Sequence, residues 1–283
     1  MSAPERALEL REVTGPSALG GGRRRFADLL WLMASTEFKR TYFGTVFGYL
    51  WSLARPLLLF SVLLLVFTQV FKVGSQLENY PVLLLLGIVL FTLFQEATMN
   101  SVTSVVAQEA VVRKTQFPRL VIPLTTVLTS AFNFGLNLIV VVIFVLAWGV
   151  DPTWTWLLFP LLVGLLGIFT AAVSVILSVL YVRFRDVAII WGVLAQILFY
   201  ATPVLYPIEL LENPTLERVL MFNPLAPIFE QVRVWVLEPS APTAVEVAGG
   251  AIWLLPALAI YVGVCVYSVW IFNREAPRIA EDL

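Results

Sequence analysis

Apolar residues gather along this chain in six long runs: Tyr49–Phe71, Pro81–Val106, Leu120–Trp148, Trp154–Tyr181, Val187–Val204 and Val247–Phe272. A helix needs about 20 residues to cross a hydrocarbon layer of ~30 Å, so each run predicts a transmembrane helix. The fifth is the shortest. Pro123 lies near the start of the third run, where a missing N–H costs little. Aromatic residues mark the ends of the runs, at Tyr80, Trp148, Trp154, Trp156, Tyr181 and Trp253, as expected at membrane interfaces.

Two segments depart from this pattern. Residues 3–22 are polar and end in Gly20-Gly21-Gly22, which predicts a disordered tail. From Arg23 to about Arg40, Phe26, Leu29, Leu30 and Met33 fall at i, i+3, i+4 and i+7, the spacing of an amphipathic helix. Such a helix lies in the headgroup layer, either as a simple anchor to anionic lipid or as a partner-binding element. The second departure follows the fifth run. Pro203, Pro207, Pro214, Pro224 and Pro227 cut the chain into apolar pieces too short to span. Broken segments at membrane depth are tolerated where they pack in protein or line a wet path, which suggests a conduit rather than an anchor.

Composition fits a lipid-embedded chain: 59% of the 283 residues are hydrophobic, and mean hydropathy is +0.89. The first twenty residues lack the apolar core of a cleavable signal peptide. The single cysteine, Cys265, leaves no disulfide, and histidine is absent. Lysines and arginines fix an orientation. With both termini in the cytoplasm, fifteen of the 18 lie inside, and Lys72, Arg218 and Arg233 lie outside.

The sequence contains no P-loop, no His-Glu-x-x-His and no Gly-x-Ser-x-Gly, so no residue is assigned to catalysis or to a metal. Work from ATP must then come from another polypeptide. In the loop between the second and third runs, Arg113, Lys114 and Arg119 bracket Phe117-Pro118. A short helix there could dock into a soluble subunit, or its charges could simply enforce topology. Glu96, inside the second run, is either a proton carrier or a hydrogen-bonding group turned inward. Asn133 and Asn137, one helical turn apart, clamp helices or face a common cavity. Tyr42, Trp51 and Tyr200 belong to a set of aromatics that serve as belt and packing residues or as stacking surfaces for sugar rings. The outer loops carry mostly acids, among them Glu217, Glu230 and Glu238.

Three stretches carry a resemblance to a known family: Arg40–Pro56 (RTYFGTVFGYLWSLARP), Arg113–Arg119 (RKTQFPR) with Pro123, and Val182–Asp186 (VRFRD) with Phe199–Pro207 (FYATPVLYP) and Asn223–Pro227 (NPLAP). In these the chain resembles the membrane permease subunit of type-2 ABC exporters of cell-surface polysaccharide, the family that handles O-antigen, teichoic acid, capsule and galactan. The resemblance covers about Arg23 to Phe272. It implies an all-α membrane protein with a cytoplasmic tail (1–22), an interface helix (23–48), a six-span domain (49–272) and a second cytoplasmic tail (273–283). Within that domain it implies a coupling helix at 107–119, using Arg113, Lys114, Phe117, Pro118 and Arg119. It also implies a re-entrant outer gate at 205–238, with Tyr206, Pro207, Asn223, Pro224 and Pro227.

The expected assembly is a homodimer in the cytoplasmic (inner) membrane with two copies of a P-loop ATPase that holds the ATP and Mg. The expected substrate is a polyprenyl-diphosphate-linked polysaccharide; no nucleic-acid partner is implied. Thr41 and Phe43 stand where basic residues are expected in many relatives, and Arg55 where asparagine is common. Lys39, Arg40 and Arg55 form the cationic cluster suited to a lipid diphosphate at the cytoplasmic entrance. Tyr42, Trp51, Glu96, Asn133, Asn137 and Tyr200 are the residues expected along the substrate path. A type-2 exporter of drugs or small lipids shares the same plan, and a proton-coupled transporter using Glu96 is the alternative from another class.

Overall fold

A computed structural model describes residues 22–42, 48–70, 72, 79–110, 118–211 and 213–275. The regular structure among them is helical: α1 (Gly22–Tyr42), α2 (Leu50–Leu65), α3 (Tyr80–Ala107), α4 (Val121–Ala147), α5 (Phe159–Arg183), α6 (Val187–Ala201), α7 (Pro214–Leu220), α8 (Ala226–Val236), the single turn α9 (Ala244–Val247) and α10 (Leu255–Glu275). A π-helical turn, Val66–Val70, prolongs α2, and 3-10 turns lead into α5 and α10. Five of these segments are long and apolar enough to cross a membrane; α6, with 15 residues, is apolar but shorter.

The centre of the fold is α3. It packs against α2, α4, α5 and α6, and most of its length is buried. Its sequence explains how it can sit there. Leu84, Leu85, Ile88, Phe91 and Phe94 supply bulk around the helix, while Gly87, Thr98, Ser101 and Ser104 let neighbours approach closely. The Ser101 hydroxyl donates to the Ser174 carbonyl of α5 at 3.1 Å. Ring contacts extend outward from α3, Phe91 to Phe199 and Phe229, and Phe94 to Phe169 and Trp191. By contrast α2, α6 and α10 keep broad apolar faces exposed, for example Ile189, Val193 and Ile197 on α6.

The amphipathic helix α1 lies along α4. Ala34 is fully buried against it, and the Thr129 hydroxyl donates to the Ala34 carbonyl at 3.4 Å. Phe26, Leu29, Leu30 and Met33 are half-buried on this side. At the far end of the chain, Arg183 of α5 pairs with Glu275 of α10 at 3.1 Å.

Pro56 lies within α2 and cannot donate to the carbonyl four residues back, that of Ser52. The Asn137 side-chain amide of α4 donates to that carbonyl at 3.2 Å. A side chain of a neighbouring helix thus meets a backbone acceptor that proline leaves open.

Candidate functional site

Two polar constellations stand out in an otherwise apolar bundle. The first joins α1, α2, α3 and α4. The Tyr42 hydroxyl donates to Asn133 Oδ1 at 2.9 Å, and Asn133 Nδ2 donates to Glu96 Oε1 at 2.5 Å. Asn137 Nδ2, besides reaching Ser52, donates to the Asn133 carbonyl at 2.9 Å. Asn133 and Asn137 are both buried, while Tyr42 and Glu96 are half-buried. The Arg55 guanidinium lies within electrostatic range of both Glu96 and Tyr42. An aromatic cluster adjoins these hydrogen bonds through Tyr42; in it Phe38 stacks on Tyr49 at 5.2 Å and meets Tyr42 and Phe132 edge-on. The structure therefore brings together Tyr42, Arg55, Glu96, Asn133 and Asn137.

Lys39 and Arg40 are exposed at the end of α1, with Arg40 4.0 Å from Glu37. Trp51 on α2 and Tyr200 on α6 are each about half exposed. Arg113, Lys114 and Phe117 lie outside the described residues. Pro118 and Arg119 form the turn that opens α4, their carbonyls accepting from the Val121 and Ile122 N–H groups.

The second constellation is the proline-broken region between α6 and α10. An Asn-Pro pair opens α7, and a second precedes α8 by two residues. Asn213 Oδ1 accepts from the N–H groups of Thr215 and Leu216 to cap α7, with Pro214 in its first turn. Asn223 Oδ1 accepts from the Leu225 N–H ahead of α8, and Pro227 again occupies the first turn. Asn223 also donates to Thr202 Oγ1 at 2.8 Å, and the Tyr206 hydroxyl donates to the Tyr200 carbonyl at 3.0 Å. Pro207 is buried, while Pro224 and Pro227 line an apolar groove against α10.

This region is tied to α3. Tyr80, fully buried at the start of α3, donates its hydroxyl to the Leu205 carbonyl at 2.9 Å. Two turns further on, Gly87 passes the Thr202–Leu205 turn so closely that a Cβ there would lie 2.9 Å from the Val204 carbonyl oxygen. The sequence reading counts Glu230 and Arg233 among the charges of the outer face. Both are instead buried, at 2% and 5% exposure. Arg233 pairs with Glu238 at 2.8 Å and lies 3.8 Å from Glu230 Oε2, while Glu230 Oε1 accepts from the Ile208 N–H. The i, i+3 spacing of Glu230 and Arg233 on an amphipathic helix was the available signal for this pair. No comparable signal marks Tyr80, whose partner is a backbone carbonyl distant in sequence.

With only helices as regular structure among the described residues, several of them membrane-long, and with buried polar ties and a proline-broken segment, this is a multi-pass membrane protein. Residues 28–237 match the ABC-2 type transporter family, and the chain belongs to that family as a membrane transport subunit. Among its relatives are two Klebsiella pneumoniae proteins named "O-antigen export system permease protein RfbA". Each is 34% identical over 200 residues, which are 70% of this chain and 76% of the relative. A Myxococcus xanthus protein of the same name is 29% identical over 264 residues, 92% of this chain and 96% of its own length.

Proposed function

We propose that this chain is the permease of an ATP-driven exporter that moves a polyprenyl-diphosphate-linked polysaccharide, such as O-antigen, across the cytoplasmic membrane. The observation that carries this reading is the similarity, over most of both chains, to permeases named for O-antigen export. In this reading α6 is the fifth of six spans, both termini are cytoplasmic, and α7 and α8 form the re-entrant outer gate. Two copies pair across exposed apolar faces such as that of α6, and the glycan passes between them. Two copies of a separate P-loop ATPase hold the ATP and magnesium and press on the loop containing Arg113, Lys114, Phe117, Pro118 and Arg119. Lys39, Arg40 and Arg55, with the aromatic cluster around Phe38, form a cationic and stacking surface for the lipid diphosphate.

The junction of Tyr42, Asn133 and Glu96 supports this division of labour. It links the interface helix directly to the central helix α3, so displacement of α1 reaches the core through hydrogen bonds as well as packing. The test is to purify the tagged chain gently from its native membrane and identify what accompanies it. A P-loop ATPase in equal amount is expected, and Phe117→Ala should insert normally yet lose export. A permease that purifies alone, or normal export by Phe117→Ala, would remove the coupling role.

A further inference from the structure

A polar pocket of about 240 Å³ opens beside the gate, between the start of α3 and the end of α8. Asn79, Tyr80, Pro207, Arg233, Glu238 and Ser240 contribute to its wall. A smaller void, lined by Gly87 and Glu230, shares Leu83, Pro207, Arg233 and Leu237 with it and lies at its floor side. We propose that this pocket binds one uncharged, hydroxyl-rich ring, a single sugar residue of the exported glycan, as it passes the outer gate. The identity of the ligand rests on the export function proposed above.

The chemistry favours that class. Two carboxylates, Glu238 in the pocket wall and Glu230 beyond it, flank the one guanidinium of the wall, Arg233; the wall carries one charge of each sign, which suits a neutral ligand. Arg233 is held between them and is itself almost fully buried, which makes the floor rigid. Glu238 is 40% exposed and keeps acceptor capacity toward the opening. Neither the Asn79 amide nor the Ser240 hydroxyl has an intramolecular hydrogen-bond partner among the described residues. A sugar hydroxyl can donate to Glu238 and accept from Asn79 or Ser240, while Pro207 and Leu237 receive its C–H face. A buried charged pair is a poor source of stability, so a binding role gives it a physical reason to persist. The floor also reaches the gate, since Glu230 holds the Ile208 N–H just after Pro207.

The test uses the complete transporter, permease with its ATPase, in nanodiscs. The probe is the oligosaccharide repeat released by mild acid from the surface glycan of the producing organism, followed by saturation-transfer NMR. Asn79→Ala and Ser240→Trp should each weaken binding about fivefold or more, with unchanged melting temperature. A second measurement avoids any folding defect. Ser240→Cys in a Cys265→Ala background is folded first and then capped with a bulky maleimide, which should abolish the signal. Binding within twofold of wild type after capping, or no binding to wild type, would overturn the pocket. If a strain lacking this chain still loses its surface glycan, the export reading survives that result. If such a strain keeps its glycan, both fail.

Discussion

Proline at position 56 and asparagine at position 137 are chemically complementary: one withholds a backbone donor and the other supplies it to the same Ser52 carbonyl. Hydrogen bonds between membrane helices contribute roughly 1 kcal/mol, so Asn137→Leu should lower stability by about that amount. In a Pro56→Ala background the helix can satisfy Ser52 by itself, and the same substitution should cost clearly less. Thermal unfolding of the purified variants measures both; equal costs in the two backgrounds would show that the bond is incidental. The spacing of Asn133 and Asn137 was legible in the sequence, but their partners were not. Those depend on how α1, α2 and α3 register against α4, and polar spacing within one helix carries no information about its neighbours. Glu96 is a related case. In Glu96→Gln the side-chain oxygen can still accept from Asn133, so ATP-driven export should continue at a reduced or normal rate. Complete loss of transport, measured by surface glycan, would favour proton coupling through this carboxylate.

Among the elements, the apolar runs made the long helices legible, and the prolines after Ala201 marked the broken segment. The pair Asn213-Pro214 marks where α7 begins, because asparagine caps and proline fits the first turn. What the pattern could not show was which helix is central. Runs that are apolar all round have no sided face to read, and α3 owes its place to small residues scattered among large ones. Gly87 is the sharpest example. A methyl group there meets the backbone of Val204, which cannot swing aside as a side chain would. Gly87→Ala should therefore destabilise by about 1–3 kcal/mol. Gly263→Ala on α10, where an added Cβ meets nothing within 4 Å, should be neutral or stabilise by up to about 1 kcal/mol. Melting curves that shift alike for both would mean that the α3 contact is looser than the geometry implies.

For the molecule as a whole, membrane embedding follows from hydropathy, whereas the cargo does not. Periodicity and composition permit a conduit but name no substrate. The motifs at Arg40–Pro56, Arg113–Arg119, Val182–Asp186, Phe199–Pro207 and Asn223–Pro227 supplied the family resemblance, and similarity to O-antigen export permeases supports the glycan. The structure adds a physical arrangement in which α1, the central helix α3 and the proline-broken segment are joined through named hydrogen bonds. The central claim is export, and deleting this chain from its organism tests it most directly, with surface glycan and lipid-linked glycan measured separately. The account predicts that surface glycan disappears, lipid-linked chains accumulate inside, and the intact chain restores both. Undiminished surface glycan in the deletion strain would contradict it.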